Sequence, residues 1–324
     1  MSSKTLNVRK HVNEAEERIR KYIRETPLEY SHYLSKKGRC QVYLKLENLQ
    51  CSGSFKARGA FNMILSLPRK TKVITASSGN HGLAVAYALN TLGGTGTIYL
   101  PTTTTSVKTD QLHNYNVQLE FFGTDCAETE VFARNIAKQE GGVFISPYND
   151  PLIIGGQGTI AIELCKYLTE IDVVLTSVGG GGLISGIAGY LKELNPNIEI
   201  IGCLPENSAL MYESVQAGKI VRREIKPTLS DGTAGGIEPG AITFELCQKY
   251  IDHFIIVNEG EIAEAIKYML EYHHMVVEGA AGVTVASFLK EFKRFIGKTV
   301  VLIICGGNIG YQQLKEIVCE KKYK

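Results

Sequence analysis

The fold of this chain is decided by residues 173–189, which read VVLTSVGGGGLISGIAG. An apolar run typical of a buried strand leads into four glycines, and a helix-like stretch begins at Leu183. Glycines at such a junction let backbone N–H groups approach an anion at the positive end of the helix. The loop matches neither the dinucleotide-binding pattern GxGxxG nor the P-loop pattern GxxxxGK followed by Ser or Thr. We therefore expect a phosphate site, with a flexible turn as the structural alternative.

Strand and helix patterns alternate on both sides of this stretch. Before it, strands are predicted at 72–76, 96–100, 117–122 and 143–146, with helices at 82–92, 106–116 and 128–139. After residue 150, helices are predicted at 158–168, 184–194, 259–273 and 280–292, with strands at 173–178, 198–204, 254–257 and 300–304. This alternation predicts an α/β protein of two lobes, each a twisted, mostly parallel sheet flanked by helices. We assign residues 1–70 and 149–324 to a large domain and residues 71–148 to a small domain.

The composition excludes several classes of protein. Hydrophobic residues make up 44% of the 324 residues, and no apolar run is long enough to cross a membrane. The 35 Lys and Arg against 33 Asp and Glu give a net charge of +2, so no nucleic-acid surface is expected. The N-terminus lacks the apolar core of a signal peptide. We predict a cytoplasmic protein that binds neither membranes nor nucleic acid.

A second informative segment is residues 51–59, CSGSFKARG, which lead into a helix-like stretch. Most lysines are surface charges, but the neighbours of Lys56 are small residues and Phe55. A lysine desolvated beside an apolar ring has a lowered pKa, which frees the neutral amine that Schiff-base chemistry needs. Lys56 is therefore a candidate catalytic residue.

A third segment is residues 77–82, SSGNHG, which follow a predicted strand and begin a helix. Their hydroxyl, amide and free N–H groups suit a carboxylate, whereas an ordinary helix cap is the structural alternative. The histidine in such a loop is at least as often an orienting donor as a base.

Six motifs of this chain occur in the order seen in the serine/threonine dehydratase and serine racemase family. They are SFKARG at 54–59, SSGNHG at 77–82, GQGT at 156–159, GGGG at 179–182, EGAAG at 278–282 and CGGN at 305–308. The chain thus resembles a family of pyridoxal 5'-phosphate (PLP) enzymes in the tryptophan-synthase-β-like group, known as fold type II. The resemblance implies that the large domain binds PLP and that the small domain closes over the substrate.

The resemblance implies a set of cofactor-binding residues. Lys56 matches the Schiff-base lysine, and Phe55 matches the ring that packs against the pyridine. The phosphate loop is matched by Gly179, Gly180, Gly181, Gly182 and Leu183. Asn80 matches the residue that bonds the 3'-oxygen, and Glu278 is assigned to the cofactor site. Cys305 occupies the position that faces the pyridine nitrogen, where serine or threonine is common.

The resemblance also implies how the substrate is held. Ser77, Ser78, Asn80 and His81 match the loop that binds the substrate carboxylate. Ser78 in addition matches the serine that serves racemases as a catalytic base on the face opposite the lysine. Both Lys56 and Ser78 are therefore predicted catalytic residues.

Two local departures from the family pattern bear on metal and substrate. Racemase-like members hold a divalent metal near the positions of Leu204 and Leu210, whose side chains cannot ligate, and Glu206 is out of register. We therefore predict no metal site. Residues 231–240, DGTAGGIEPG, are richer in glycine than the usual version and resemble a subgroup that acts on other hydroxy-amino acids.

The activity implied by the resemblance is that of a PLP-dependent ammonia-lyase acting on a small amino acid. It would convert a hydroxy-amino acid such as L-threonine or L-serine to a 2-oxo acid and ammonia by β-elimination. Three alternatives remain: an amino-acid racemase, a dehydratase for threo-3-hydroxyaspartate, and a catalytically silent protein that binds PLP or an amino acid. We expect a homodimer.

Overall fold

The computed structural model describes residues 6–319, which form two sheets flanked by helices. The strands are β1 (Leu28–Tyr30), β2 (Gln41–Lys45), β3 (Val73–Ala76), β4 (Gly96–Leu100), β5 (Gln118–Phe121), β6 (Val143–Phe144), β7 (Val173–Ser177), β8 (Glu199–Pro205), β9 (His253–Val257) and β10 (Thr299–Ile303). The helices are α1 (Val8–Ile19), α2 (His32–Gly38), α3 (Lys56–Ser66), α4 (Asn80–Leu92), α5 (Ser106–His113), α6 (Cys126–Gln139), α7 (Pro151–Tyr167), α8 (Gly182–Leu194), α9 (Leu210–Ala217), α10 (Ile242–Tyr250), α11 (Glu259–His273), α12 (Gly279–Glu291) and α13 (Tyr311–Cys319). The predicted α/β class with two sheets is confirmed.

The larger sheet has six strands in the order β1-β2-β10-β7-β8-β9. Neighbouring strands run parallel except for β1, which pairs antiparallel with β2. The last strand, β10, lies in the interior of the sheet, where Val300 pairs with Val42 on one side and with Val173 on the other. All five residues of β7 are buried, which explains why its sequence is a continuous apolar run rather than an alternating one. Since β7 and β10 are parallel neighbours, the loops that follow them meet at one edge.

The smaller sheet has four parallel strands in the order β5-β4-β3-β6. All of them lie between residues 73 and 144, and α4, α5 and α6 connect them in sequence. Helix α4 begins immediately after the turn that follows β3, so its N-terminus lies at the carboxyl edge of this sheet. The assignment of residues 71–148 to a domain that closes over the substrate stays a prediction.

Helix α7 corrects one prediction, because it begins at Pro151 rather than at Gly158. The Asp150 side chain caps it by accepting a hydrogen bond from the Leu152 N–H at 2.7 Å, and proline is well suited to the first helical turn. The glycines in the first two turns of α7 are contact points with neighbouring segments. A Cβ at Gly156 would lie 2.6 Å from the carbonyl oxygen of Arg58 on α3. The strand predicted at 143–146 is also shorter, since it ends at Phe144.

Among residues 6–319, no helix is long and apolar enough to cross a membrane.

Candidate active site

Lys56 is the first residue of α3 and is partly accessible to solvent. Its Nζ donates a hydrogen bond to the Pro147 carbonyl at 2.6 Å and lies 5.2 Å from the centre of the Phe55 ring. Burial lowers the pKa of Lys56 to about 8, although the nearby Glu278 favours the charged form. At pH 7 about a tenth of the amine is therefore neutral, far more than for an ordinary lysine, and this is the direction of shift expected from the sequence.

The chain that leads into Lys56 is fixed to the segment after β10. Ser54 forms an isolated β-bridge with Gly306, and the Phe55 N–H donates to the Cys305 carbonyl at 3.0 Å. These backbone contacts bring Lys56 and Cys305 together although they are far apart in sequence. The sulfur of Cys305 is buried, 3.5 Å from the Ser177 hydroxyl at the end of β7. Burial strongly raises the pKa of Cys305, so its thiol is neutral.

The glycine loop at 179–182 connects β7 to α8 and presents free backbone donors. Within the described chain, none of the N–H groups from Gly179 to Leu183 has a hydrogen-bond acceptor. Gly181 has a φ of +85°, which favours glycine, and a Cβ at Gly180 would overlap the Tyr148 ring. A Cβ at Gly182 would lie 2.9 Å from the Tyr148 carbonyl. The loop is therefore a concentrated set of donors at a helix N-terminus, which fits the phosphate of PLP.

Tyr148 covers this loop and was not among the predicted site residues. Its hydroxyl accepts a hydrogen bond from the Glu238 N–H at 2.9 Å, and burial raises its pKa. Glu238 pairs with Arg134 of α6 at 3.0 Å. The glycine-rich segment at 231–240 is thus held near the phosphate loop. The only sequence signal was the position of Tyr148, which follows the last strand of the smaller sheet.

Asn80 joins the two lobes through a network of side-chain hydrogen bonds. Its amide nitrogen donates to both carboxylate oxygens of Glu278, at 2.8 and 2.9 Å, and its amide oxygen accepts from Asn308 at 2.7 Å. Burial raises the pKa of Glu278 to about 7, and the hydrogen bonds from Asn80 oppose that rise. The Cys305 sulfur lies 4.0 Å from Glu278. The structure therefore brings Lys56, Asn80, Glu278 and Cys305 close together, and their roles towards a cofactor stay a prediction.

The predicted substrate loop forms the N-terminus of α4. The Ser77 hydroxyl accepts a hydrogen bond from the Gly79 N–H at 3.2 Å, and the N–H groups of Asn80 and His81 have no acceptor among the described residues. The Ser78 hydroxyl likewise has no partner within residues 6–319 and is partly exposed. His81 Nε2 lies 3.0 Å from the Ile145 carbonyl, which can only accept, so this nitrogen carries a proton. Burial lowers the pKa of His81 to about 3, so the ring is neutral.

A cluster of buried charges lies behind Lys56. Arg58, two residues further along α3, donates to Glu47 at 2.7 Å and to Glu163 of α7 at 2.7 Å. Lys45 of β2 contacts the same Glu163, and none of these side chains is more than 2% exposed. Burial alone would raise the pKa of Glu163, but Arg58 and Lys45 overcome it and hold the pKa at about 2. The cluster fixes α3 against β2 and α7, and sequence analysis missed it.

The stretch predicted to lack metal ligands runs from the end of β8 into α9. Leu204 and Leu210 are buried and Glu206 is exposed. Across residues 6–319, no group of three His, Cys, Asp or Glu side chains is arranged to hold a metal ion. The prediction of no metal site remains a prediction.

The fold and the site together define a class of enzyme. The chain matches the family model of pyridoxal-phosphate dependent enzymes over residues 19–306, and it belongs to that family. The family resemblance predicted from the sequence and the predicted cofactor, PLP, are thereby confirmed.

Within that family, the chain is similar to enzymes that deaminate or racemise amino acids. It is 41% identical to the L-threonine ammonia-lyase of Thermotoga maritima over 310 residues, which cover 95% of this chain and 77% of the relative. The processed form of threonine deaminase isoform 2 from Solanum lycopersicum has a TM-score of 0.91 and 32% identity, with 98% of this chain and 94% of that one covered. Maize serine racemase has a TM-score of 0.89 and 30% identity, with 95% of each chain covered.

Proposed function

We propose that this protein deaminates a β-hydroxy-amino acid, L-threonine first and L-serine second, by β-elimination. The reaction removes the α-proton and the β-hydroxyl as water, and hydrolysis of the resulting enamine gives a 2-oxo acid and ammonia. The predicted class of PLP-dependent ammonia-lyase is confirmed by the family match and by relatives named L-threonine ammonia-lyase. The observation that carries the proposal is the amine of Lys56, with its lowered pKa, held beside Cys305 and Glu278.

Bound PLP supplies the electron sink that weakens bonds at the α-carbon of an amino acid. We assign its phosphate to the N–H groups from Gly179 to Leu183, its ring face to Phe55 and its ring nitrogen to Cys305. A neutral thiol beside that nitrogen adds no charge that would favour its protonation. The intact donor loop and the buried Cys305 support these assignments.

Four groups are assigned to the substrate and its proton. The free N–H groups at the N-terminus of α4, with Ser77 and Ser78, bind the carboxylate. Lys56 Nζ takes the α-proton, which the lowered pKa supports because only the neutral amine is a base. His81 is neutral and bonded to Ile145, which supports a role in orienting the loop rather than in proton transfer.

The test is a direct assay of products. Purified protein with PLP is incubated with L-serine, L-threonine and threo-3-hydroxyaspartate, and the 2-oxo acid and the enantiomers of residual substrate are measured together. We expect 2-oxo acid from L-threonine, and none from the Lys56→Ala variant. Activity on threo-3-hydroxyaspartate alone would favour the subgroup that the segment at 231–240 resembles. A bound-PLP absorption band without turnover would identify a silent binding protein.

A racemase is the second candidate, because the Ser78 hydroxyl is free of hydrogen bonds to the described chain and partly exposed. The similarity to maize serine racemase supports it. If Ser78 is the base on the face opposite Lys56, Ser78→Ala should abolish racemisation of serine and leave elimination from the L-enantiomer largely intact. Equal loss of both activities would limit Ser78 to carboxylate binding.

We also propose that the protein is a cytoplasmic homodimer. Tyr30, Tyr33 and Tyr272 expose 42%, 53% and 38% of their surface, and the rings of Tyr33 and Tyr272 lie 5.2 Å apart. An exposed aromatic cluster is a common feature of subunit interfaces, which supports the proposal. Light scattering of the purified protein measures its mass directly.

A further inference from the structure

The motif at 305–308 ends in Asn308, to which neither the sequence nor the proposed function gives a role. Asn308 follows β10 in the larger lobe, whereas Asn80 begins α4 beside the smaller sheet. The Asn308 amide nitrogen donates to the Ser52 carbonyl at 2.9 Å and to the Asn80 amide oxygen at 2.7 Å. Both N–H hydrogens of the Asn308 amide are therefore used. One bonds the segment before Lys56, and the other bonds the side-chain amide of Asn80.

The Asn308 amide can lie at this place only because residue 53 is a glycine. Gly53 has a φ of +75°, and a Cβ there would overlap the Asn308 amide. Ser54 then pairs with Gly306, so the segments at 52–54 and 306–308 lie side by side. The amide of Asn308 is thereby carried by two backbone segments that are fixed to each other.

The donor and acceptor of each hydrogen bond between Ser52, Asn308 and Asn80 follow from the chemistry of these groups. A backbone carbonyl can only accept, so the side of the Asn308 amide that faces Ser52 must be the NH₂ group. The same NH₂ group faces Asn80, which must then present its oxygen to Asn308. The Asn80 NH₂ group is left on the opposite side, towards Glu278 at 2.8 Å. The orientation of an asparagine amide is otherwise ambiguous. Here the Ser52 carbonyl fixes that of Asn308, and Asn308 and Glu278 together fix that of Asn80.

We infer that Asn308 is a positioning residue that sets the Asn80 amide so that its NH₂ group, rather than its oxygen, is offered to the cofactor. The inference rests on the proposed function and on the contact between Asn80 and the 3'-oxygen of PLP that the family resemblance implies. A donor at that place stabilises an anionic ring oxygen, whereas an amide oxygen would repel it. Asn308 acts only through Asn80, so its contribution should disappear when Asn80 has no amide.

The experiment measures the affinity of the apo-protein for PLP, which requires no substrate. Asn308→Asp preserves size but turns an acceptor towards the Asn80 amide oxygen, so the Asn80 amide can no longer satisfy residue 308 and Glu278 at once. We expect the dissociation constant for PLP to rise roughly three- to tenfold, the value of about one hydrogen bond. The pH at which the absorbance of bound PLP changes should also shift upwards. Thermal unfolding of the apo-proteins measures separately how far the loss of the two hydrogen bonds lowers stability.

Two further variants make the result specific. In the Asn80→Ala background, adding Asn308→Asp should leave PLP affinity unchanged. Asn207→Asp is the matched control, because Asn207 donates to the Pro227 carbonyl at 2.7 Å away from the site, and it should bind PLP like the wild type. If the acidic variant does not fold, Asn308→Ala takes its place in the same cycle.

Three outcomes would overturn the inference: an unchanged affinity in Asn308→Asp, an equal loss in the Asn80→Ala background, or an equal loss in Asn207→Asp. The proposed function fails separately. A wild-type protein that binds PLP but forms no 2-oxo acid from L-threonine would refute the deaminase and leave the role of Asn308 testable.

Discussion

Burial in the native protein lowers the pKa of Lys56 and so favours the neutral form of its amine. Its pKa of about 8, set mainly by burial, means that the folded chain releases the proton of this lysine well before the unfolded chain does. Below pH 8 the lysine is charged in both states, and the native state alone bears the cost of burying that charge. The burial that lowers the pKa of Lys56 therefore also lowers the free energy of unfolding at neutral pH.

This cost predicts a pH-dependent effect of Lys56→Met on the apo-protein. At pH 7 the variant should be more stable than the wild type by up to about 3 kcal/mol, at roughly 1.4 kcal/mol for each unit of pKa shift. As the pH rises from 8 to 9.5 the wild-type lysine loses its proton in the native state, so the difference should narrow. Urea unfolding at the two pH values measures it. Lys36→Met, at an exposed lysine, is the control. A difference in stability between Lys56→Met and the wild type that widens as the pH rises would contradict the explanation by burial.

At the scale of single residues, the sequence predicted the local parts of the site and missed the distant ones. Lys56 and the glycine loop could be found because each chemical function lies within one short motif. The ion pair between Arg58 and Glu163 joins residues 105 positions apart, and the bond between Asn80 and Asn308 joins residues 228 apart. Such partners are brought together by the topology of the sheet, which the pattern of neighbouring residues does not contain.

At the scale of helices and strands, glycine has two structural roles in this chain, and the sequence alone does not distinguish them. The glycines at 179–182 form a loop, while those of α7 and α8 lie within helices and allow close packing. A Cβ at Gly186 of α8 would lie 2.6 Å from the Gly158 nitrogen of α7 and would press on the Ile154 carbonyl. The predicted start of α7 at Gly158 was wrong, because the helix already includes Gly155 and Gly156. Helices α2, α9, α10 and α13 were also not predicted.

This packing predicts that Gly186→Ala destabilises the protein, although alanine is the better helix former by about 1 kcal/mol. Overpacking against backbone atoms cannot be relieved by rotating a side chain, so we expect a loss of about 1–3 kcal/mol in the free energy of unfolding. Gly236→Ala is the control, since a Cβ there meets no atom within 4 Å and should change stability by less than about 0.5 kcal/mol. Urea unfolding of both variants decides it, and equal stability of the two would refute the packing argument.

At the scale of the whole molecule, ion pairs connect the smaller sheet's helices to the glycine-rich segment of the larger lobe. Lys108 of α5 lies 3.3 Å from Asp231, and Arg134 of α6 lies 3.0 Å from Glu238. The two pairs contact opposite ends of the segment at 231–240. If substrate draws the lobes together, these contacts lie where the lobes must move.

Arg134→Met should therefore weaken closure more than it weakens folding. A partly exposed ion pair contributes about 0.2–1 kcal/mol, so KM for the amino-acid substrate should rise by no more than about fivefold, with a smaller change in kcat. The effect should be larger at low salt, where screening is weaker. Arg294→Met is the control, because Arg294 pairs with Glu199 away from the cleft. Equal changes in KM for both variants would mean that the Arg134 pair has no special link to closure.

The interior position of β10 also affects the order in which the parts of the protein can fold during synthesis. The strands of the smaller sheet are all synthesised by residue 144, but the larger sheet lacks an interior strand until residue 303 has left the ribosome. Until then β2 and β7 present unpaired edges, which are prone to aggregate. Lys56 precedes β10 and Cys305 follows it, so the proposed cofactor site is incomplete until that strand has been synthesised. If the assigned roles of Lys56 and Cys305 are correct, PLP meets its complete site only after β10 has been synthesised and has paired with β2 and β7.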